Sequence, residues 1–129
     1  MKMNMDAKTR DELLFGEFDL DKYSGGIRRF EDLGYDDLKY LMEQRFISYG
    51  DYQNCSPCAG DIMHFMEDYT KFTAHGYAVS PNRGDYRITL EGVELTGEYD
   101  HETLLAFIEM FRFADEFDIE PYRLYCWYD

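Results

Sequence analysis

Five residues, Ser80-Pro81-Asn82-Arg83-Gly84, constrain the fold more than any other stretch of the sequence. Proline presets the φ of a turn and glycine accepts a positive φ without steric cost, so the chain reverses here and its flanks, 77–79 and 85–90, pair as a hairpin. Along the second arm Ile88 and Leu90 alternate with Arg87 and Thr89, whereas Val93 and Leu95 have the opposite parity. A strand slipped by one residue turns every side chain to the other face, so Gly92 marks a turn or a β-bulge.

The periodicity on either side of this hairpin is helical. Leu38, Leu41, Met42 and Phe46 share one face of a helix that starts at Asp36 and is expected to end at Tyr49-Gly50. A second helix has Ser56 as its cap and Pro57 at its first position, then Ile62, Phe65, Met66, Tyr69 and Thr73 at helical spacing, with Gly76 as a left-handed stop. Asp100 caps a third helix running to about Phe117, and Pro121 precedes an aromatic strand over 122–128. Upstream, residues 13–30 read as an irregular segment with a short strand at 14–18, and residues 1–10 as a mobile leader. The expected fold is one α+β domain over 11–129, in the order α-α-β-β-β-α-β, with a mainly antiparallel sheet packed by three helices.

Charge narrows the function. The 129 residues hold 13 Lys+Arg against 27 Asp+Glu, a net charge of -14, yet 45% are hydrophobic and 18% aromatic, which favours a packed core over disorder. The acidity opposes binding to nucleic acid or to an anionic membrane, and Arg28-Arg29 is the one adjacent basic pair. No secretory signal and no apolar run of membrane-spanning length is read, and three cysteines suit a reducing compartment, so a soluble cytoplasmic protein is expected.

Cys55-Ser56-Pro57-Cys58 resembles the redox motif of thioredoxin-like proteins, where a helix N-terminus stabilises a thiolate; the resemblance implies Cys55 and Cys58 as catalytic residues. It covers these four residues alone. The preceding segment, 50–54, is polar where that family has a buried strand, and Cys58 shares the face of Ile62, so a buried structural thiol is the competing reading. A structural zinc site needs four ligands, and Cys126, His64 or His75 would have to complete the single pair; with both histidines on the second helix, roughly 16 Å apart, no metal is expected. Asp61, His64 and Asp68 share one helix face and read as a solvated polar surface. Asp19-Leu20-Asp21 lacks the later ligands and the glycine of a calcium loop, and His101 begins the third helix without a partner. No cofactor is expected.

The last 39 residues, 91–129, hold eleven acidic and two basic side chains, so they carry -9 of the -14. In the third helix Glu102, Glu109 and Glu116 recur every seven residues as an acidic ridge, which Glu91, Glu94 and Glu98 would extend. Two apolar stripes flank it, Leu104, Phe107, Ile108, Phe111 and Ala114, and then Ala106, Met110, Phe113 and Phe117, so the helix is either central or docked on a partner. The reading that follows is a non-enzymatic interaction protein that binds a basic partner, such as a nucleic-acid-binding protein, with phage or mobile-element inhibitors that imitate DNA as a compositional analogy. The alternative is a thiol oxidoreductase or redox switch using Cys55 and Cys58. A homo-oligomer is left open.

Overall fold

The computed structural model describes residues 2–129 and is a mixed α+β domain in which four helices pack on a five-stranded antiparallel sheet. The helices are α1 (Ala7–Phe15), α2 (Tyr35–Glu43), α3 (Ala59–Asp68) and α4 (His101–Phe111). The strands are β1 (Ile27–Leu33), β2 (Thr73–Val79), β3 (Ile88–Thr96), β4 (Glu116–Glu120) and β5 (Arg123–Trp127), in the order β1-β2-β3-β5-β4. The expected elements are found from α2 through β5, with the strand expected after Gly92 continuous with β3, and with α1, β1 and β4 added to them.

Alternation decides which way the sheet faces. In β2, Ala74, Gly76 and Ala78 are buried while Thr73, His75 and Tyr77 are half-buried; in β5, Leu124 and Cys126 are buried while Arg123, Tyr125 and Trp127 are half-buried. A two-residue period of this kind is that of a sheet covered on one side. On the covered side Leu38 and Leu41 of α2, Ile62, Phe65 and Met66 of α3, and Phe107 and Phe111 of α4 form one core with Phe30, Leu90, Val93, Leu95 and Leu124. Aromatic edges lock it, with Phe65 against Phe111 at 5.0 Å and Phe117 stacked on Phe107 at 4.9 Å between ring centres.

The bulge read at Gly92 is present. His75 pairs with Gly92 and Gly76 with Leu90, so Glu91 and Gly92 together oppose His75, and Ile88, Leu90, Val93 and Leu95 all reach the core despite their change of parity. What read as two strands is therefore one.

Element ends differ from the expectation for identifiable reasons. Of the mobile leader expected over 1–10, Met1 lies outside the described residues and the rest differs: α1 begins at Ala7, and the Arg10–Asp11 pair is buried, with Arg10 Nη2 donating to the Tyr23 hydroxyl at 2.8 Å. The strand expected at 14–18 is the end of this helix and its exit. Helix α2 stops before Tyr49-Gly50, because Arg45 takes a left-handed φ of 67° and the Phe46 N–H bonds the Leu41 carbonyl at 2.8 Å. Gly76 is no helix stop; it lies in β2, where a Cβ would come within 1.9 Å of the Thr89 carbonyl oxygen. Helix α3 ends at Asp68, which moves Thr73 and His75 into the sheet. Helix α4 is capped by Asp100, which accepts from the Thr103 N–H at 2.8 Å, but it ends at Phe111, and the chain turns back to place Glu116 and Phe117 in β4.

Candidate functional site

The uncovered face of the sheet forms a concavity of about 470 Å³. Strand alternation brings Arg29 and Glu31 of β1, Thr73 and His75 of β2, Glu91 and Glu94 of β3, Glu116 and Asp118 of β4, and Arg123, Tyr125 and Trp127 of β5 to one surface. Counting Asp32 at its rim, six carboxylates face two guanidiniums, a net charge of -4 with the histidine neutral.

The bulge builds the centre of this face. It turns Glu91 onto the open side, where the buried carboxylate accepts from Arg29 Nη1 and, at 3.1 Å, from Trp127 Nε1, joining β1 to β5 across two intervening strands. Gly92 leaves room for His75: a Cβ there would meet the Cys126 carbonyl oxygen at 2.0 Å and His75 Nε2 at 2.9 Å. The imidazole lies flat on Tyr125, with ring centres 5.0 Å apart and planes 7° from parallel. Its Nε2 is 2.9 Å from the Cys126 carbonyl, which can only accept, so Nε2 carries the proton. Burial pushes the His75 pKa below its ordinary value against the pull of the Cys126 carbonyl and of Glu91, Glu94 and Glu31, and the ring is neutral at pH 7.

Beside it Arg123 lies 4.4 Å above the Tyr125 ring, with Nε donating to Glu94 at 2.7 Å and Nη1 to Asp118 at 3.4 Å. Glu91 and Glu94 are thus engaged within the molecule. Glu31 and Glu116 are exposed and form no ion pair among the described residues. Chemically, such a face suits a cationic group, which its exposed carboxylates Glu31 and Glu116 attract.

The acidic ridge does not exist as a ridge. Glu102 and Glu109 are exposed on α4, but Glu116 belongs to β4 and faces the concavity, because the helix ends five residues before it. Glu98 is exposed in the loop before α4. Of the six carboxylates expected at a partner surface, the structure gathers Glu91, Glu94 and Glu116 on the open face and leaves Glu102, Glu109 and Glu98 off it; Glu91 is buried rather than free. The sequence reading missed Glu31, Asp118, Arg123, Tyr125 and Trp127 as members of the site. A two-residue period in Arg123-Leu124-Tyr125-Cys126-Trp127 was the signal that could have found most of them.

Cys55-Ser56-Pro57-Cys58 stands outside this face. Cys55 is exposed, Cys58 is half-buried as the N-cap of α3 rather than beneath that helix, and Cys126 is the thiol in the core; all three are free. The Ser56 hydroxyl accepts from the Gln53 N–H at 3.0 Å and donates to the Pro57 carbonyl at 2.9 Å, so it closes a turn and does not cap the helix. The first amides of α3 are taken as well, Ala59 N–H by the Asp51 carbonyl and Gly60 N–H by the Tyr49 carbonyl, at 2.7 and 2.9 Å. Those are the donors a redox motif uses to hold a thiolate. Asp61, His64 and Asp68 lie exposed along a groove between α3 and α4, with His64 Nδ1 3.8 Å from Glu67, and His75 is on a different element altogether. Among the described residues no group of three or more His, Cys, Asp or Glu is arranged to hold a metal ion.

No protein-family model, curated protein or solved structure matches this chain. Nor is any of its helices long and apolar enough to cross a membrane, among the described residues.

Proposed function

We propose that this protein is a non-enzymatic interaction module that binds a basic protein, in the manner of an acidic inhibitor of a nucleic-acid-binding protein, and that the open face of its sheet makes the contact. The observation that carries the reading is the concentration of six carboxylates against two arginines on one concave surface. Alternate residues of a strand advance roughly 6.8 Å, so Glu116, Asp118 and Glu120 space their charges at about two phosphate steps of 3.4 Å; the seven residues from Glu102 to Glu109 advance roughly 10.5 Å, too sparse to follow a phosphate backbone.

Immobilised protein incubated with a lysate of its native host tests this. A nucleic-acid-binding protein should be retained at low ionic strength, released by salt, and displaced by duplex DNA, since contacts of this kind are screened within about 8 Å at physiological salt. Retention that ignores both salt and DNA would contradict the proposal.

A further inference from the structure

We infer that β4 is a docking edge for an extended basic segment, which adds to the sheet as a sixth, antiparallel strand; this rests on the reading above that the open face binds a basic protein. The two-residue turn at Pro121-Tyr122 makes Glu120 and Arg123 a hydrogen-bonded pair. Alternation along an antiparallel ladder then directs the N–H and C=O of Phe117 and Ile119 away from β5, toward the outer edge. The Glu120 carbonyl also accepts from the Tyr99 hydroxyl, but among the described residues no backbone group of Phe117 or Ile119 bonds outside that ladder.

The opposite edge of the sheet is closed to such addition. The register of β1 breaks between Phe30 and Leu33, Asp32 has a φ of 59°, and Arg29 is held by Glu91. By contrast β4 pairs without a break over all its residues and contains neither proline nor lysine.

Side-chain alternation specifies the occupant. Glu116, Asp118 and Glu120 lie on the open face, while Phe117 and Ile119 lie on the other, with Ile119 44% exposed. A second copy paired through β4 would set carboxylate against carboxylate, which repels. A strand alternating Lys or Arg with apolar residues meets the carboxylates with its charges and Ile119 with its apolar side. Its apolar residues are the ones whose amides pair with Phe117 and Ile119.

The probe is a capped peptide, Lys-Val-Lys-Ile-Lys, set beside an analogue N-methylated at Val and Ile, which keeps every charge but loses those donors. Ile119→Pro complements it from the protein side, because proline at an outward-facing edge position removes one outer N–H and leaves the ladder to β5 intact. The edge is supported if N-methylation and Ile119→Pro each weaken binding by about tenfold or more, with thermal unfolding of the variant unchanged. It is overturned if peptide, analogue and variant all bind within about twofold of one another; loss of that binding in Glu31→Lys/Glu116→Lys would then leave the acidic-face reading standing. Failure of the plain peptide to bind, or self-association of the protein without it, also overturns the edge, while the acidic face is tested separately by its captured partner.

Discussion

Replacing Asp11 by alanine should cost more stability than removing any single carboxylate of the acidic surface. Arg10 is 1% exposed and Asp11 0% exposed, and their Nε–Oδ1 contact is 2.9 Å. The Tyr23 hydroxyl receives from Arg10 and donates to Asp11 Oδ2 at 2.5 Å, Arg10 lies 4.4 Å over the Tyr86 ring, and its Nη1 reaches the Arg87 carbonyl just before β3. Burial, with the bond to Asp11, pushes the Tyr23 hydroxyl up to about 12, so it stays a neutral member of the network. Asp11→Ala leaves a buried guanidinium without its counter-charge, a loss of roughly 3–5 kcal/mol. With about 2.1 cal/mol/K of unfolding entropy per residue, a chain of 129 residues has roughly 0.27 kcal/mol/K, so the midpoint should fall by about 11–18 °C. Differential scanning calorimetry at pH 7 reads this directly. The combined change Arg10→Met, Asp11→Leu, Tyr23→Phe removes all three polar partners and should stay within roughly 2 kcal/mol of the parent. A shift below about 3 °C for Asp11→Ala, or a triple variant weaker than the single one, would refute the argument.

Other perturbations read the sheet itself. Gly92→Ala would drive a methyl into the Cys126 carbonyl and the His75 ring, so denaturant unfolding should show a loss of about 3 kcal/mol or more, and an unchanged midpoint would deny the close approach. Because burial lowers the His75 pKa, the unfolded chain binds its proton first; stability from this residue is full above about pH 6.5 and declines as pH falls toward the folded value. His75→Phe keeps a ring on Tyr125 and should flatten the stability profile below about pH 6.5; an identical slope in both proteins would contradict that origin. Burial raises the Cys126 thiol to about 12 while Cys55 is exposed, so brief alkylation followed by mass spectrometry should label Cys55 well before Cys126, and early labelling of Cys126 would show that the core opens.

Local signals revealed the hairpin, the bulge and the Asp100 cap, because each depends on residues adjacent in sequence: a turn preset by Pro81, although Gly84 does not take the positive φ expected of it, a change of parity, and a cap three residues from its donor. Elements whose evidence is non-local were not legible. Helix α1 is held by a buried charged network that hydropathy scores as surface. Strand β1 carries Arg28, Arg29, Glu31 and Asp32, which an edge with one open face accommodates and a hydrophobic pattern does not show. The boundary of α2 was missed because an arginine takes the left-handed position that glycine usually signals. At the site, the acidic bias of the C-terminal third was visible, but its geometry was not: a spacing of seven suggested a helical ridge, while the chain turns after Phe111 and delivers Glu116 to a strand. Glu31 comes from β1 at the far edge of the sheet, and only the strand order places it opposite Glu116.

The central claim is that the open sheet face, rather than the acidic helix, meets the basic partner. Two charge reversals separate these surfaces: Glu31→Lys/Glu116→Lys on the sheet and Glu102→Lys/Glu109→Lys on α4, all at exposed positions. Association rates of each with the captured partner, taken at low and at physiological ionic strength, are the decisive measurement. The sheet-face pair should slow association by about tenfold at low salt and flatten its salt dependence, with the helix pair close to the parent. Equal rates for the sheet-face variant and the parent, or a larger effect from the helix pair, would contradict the account.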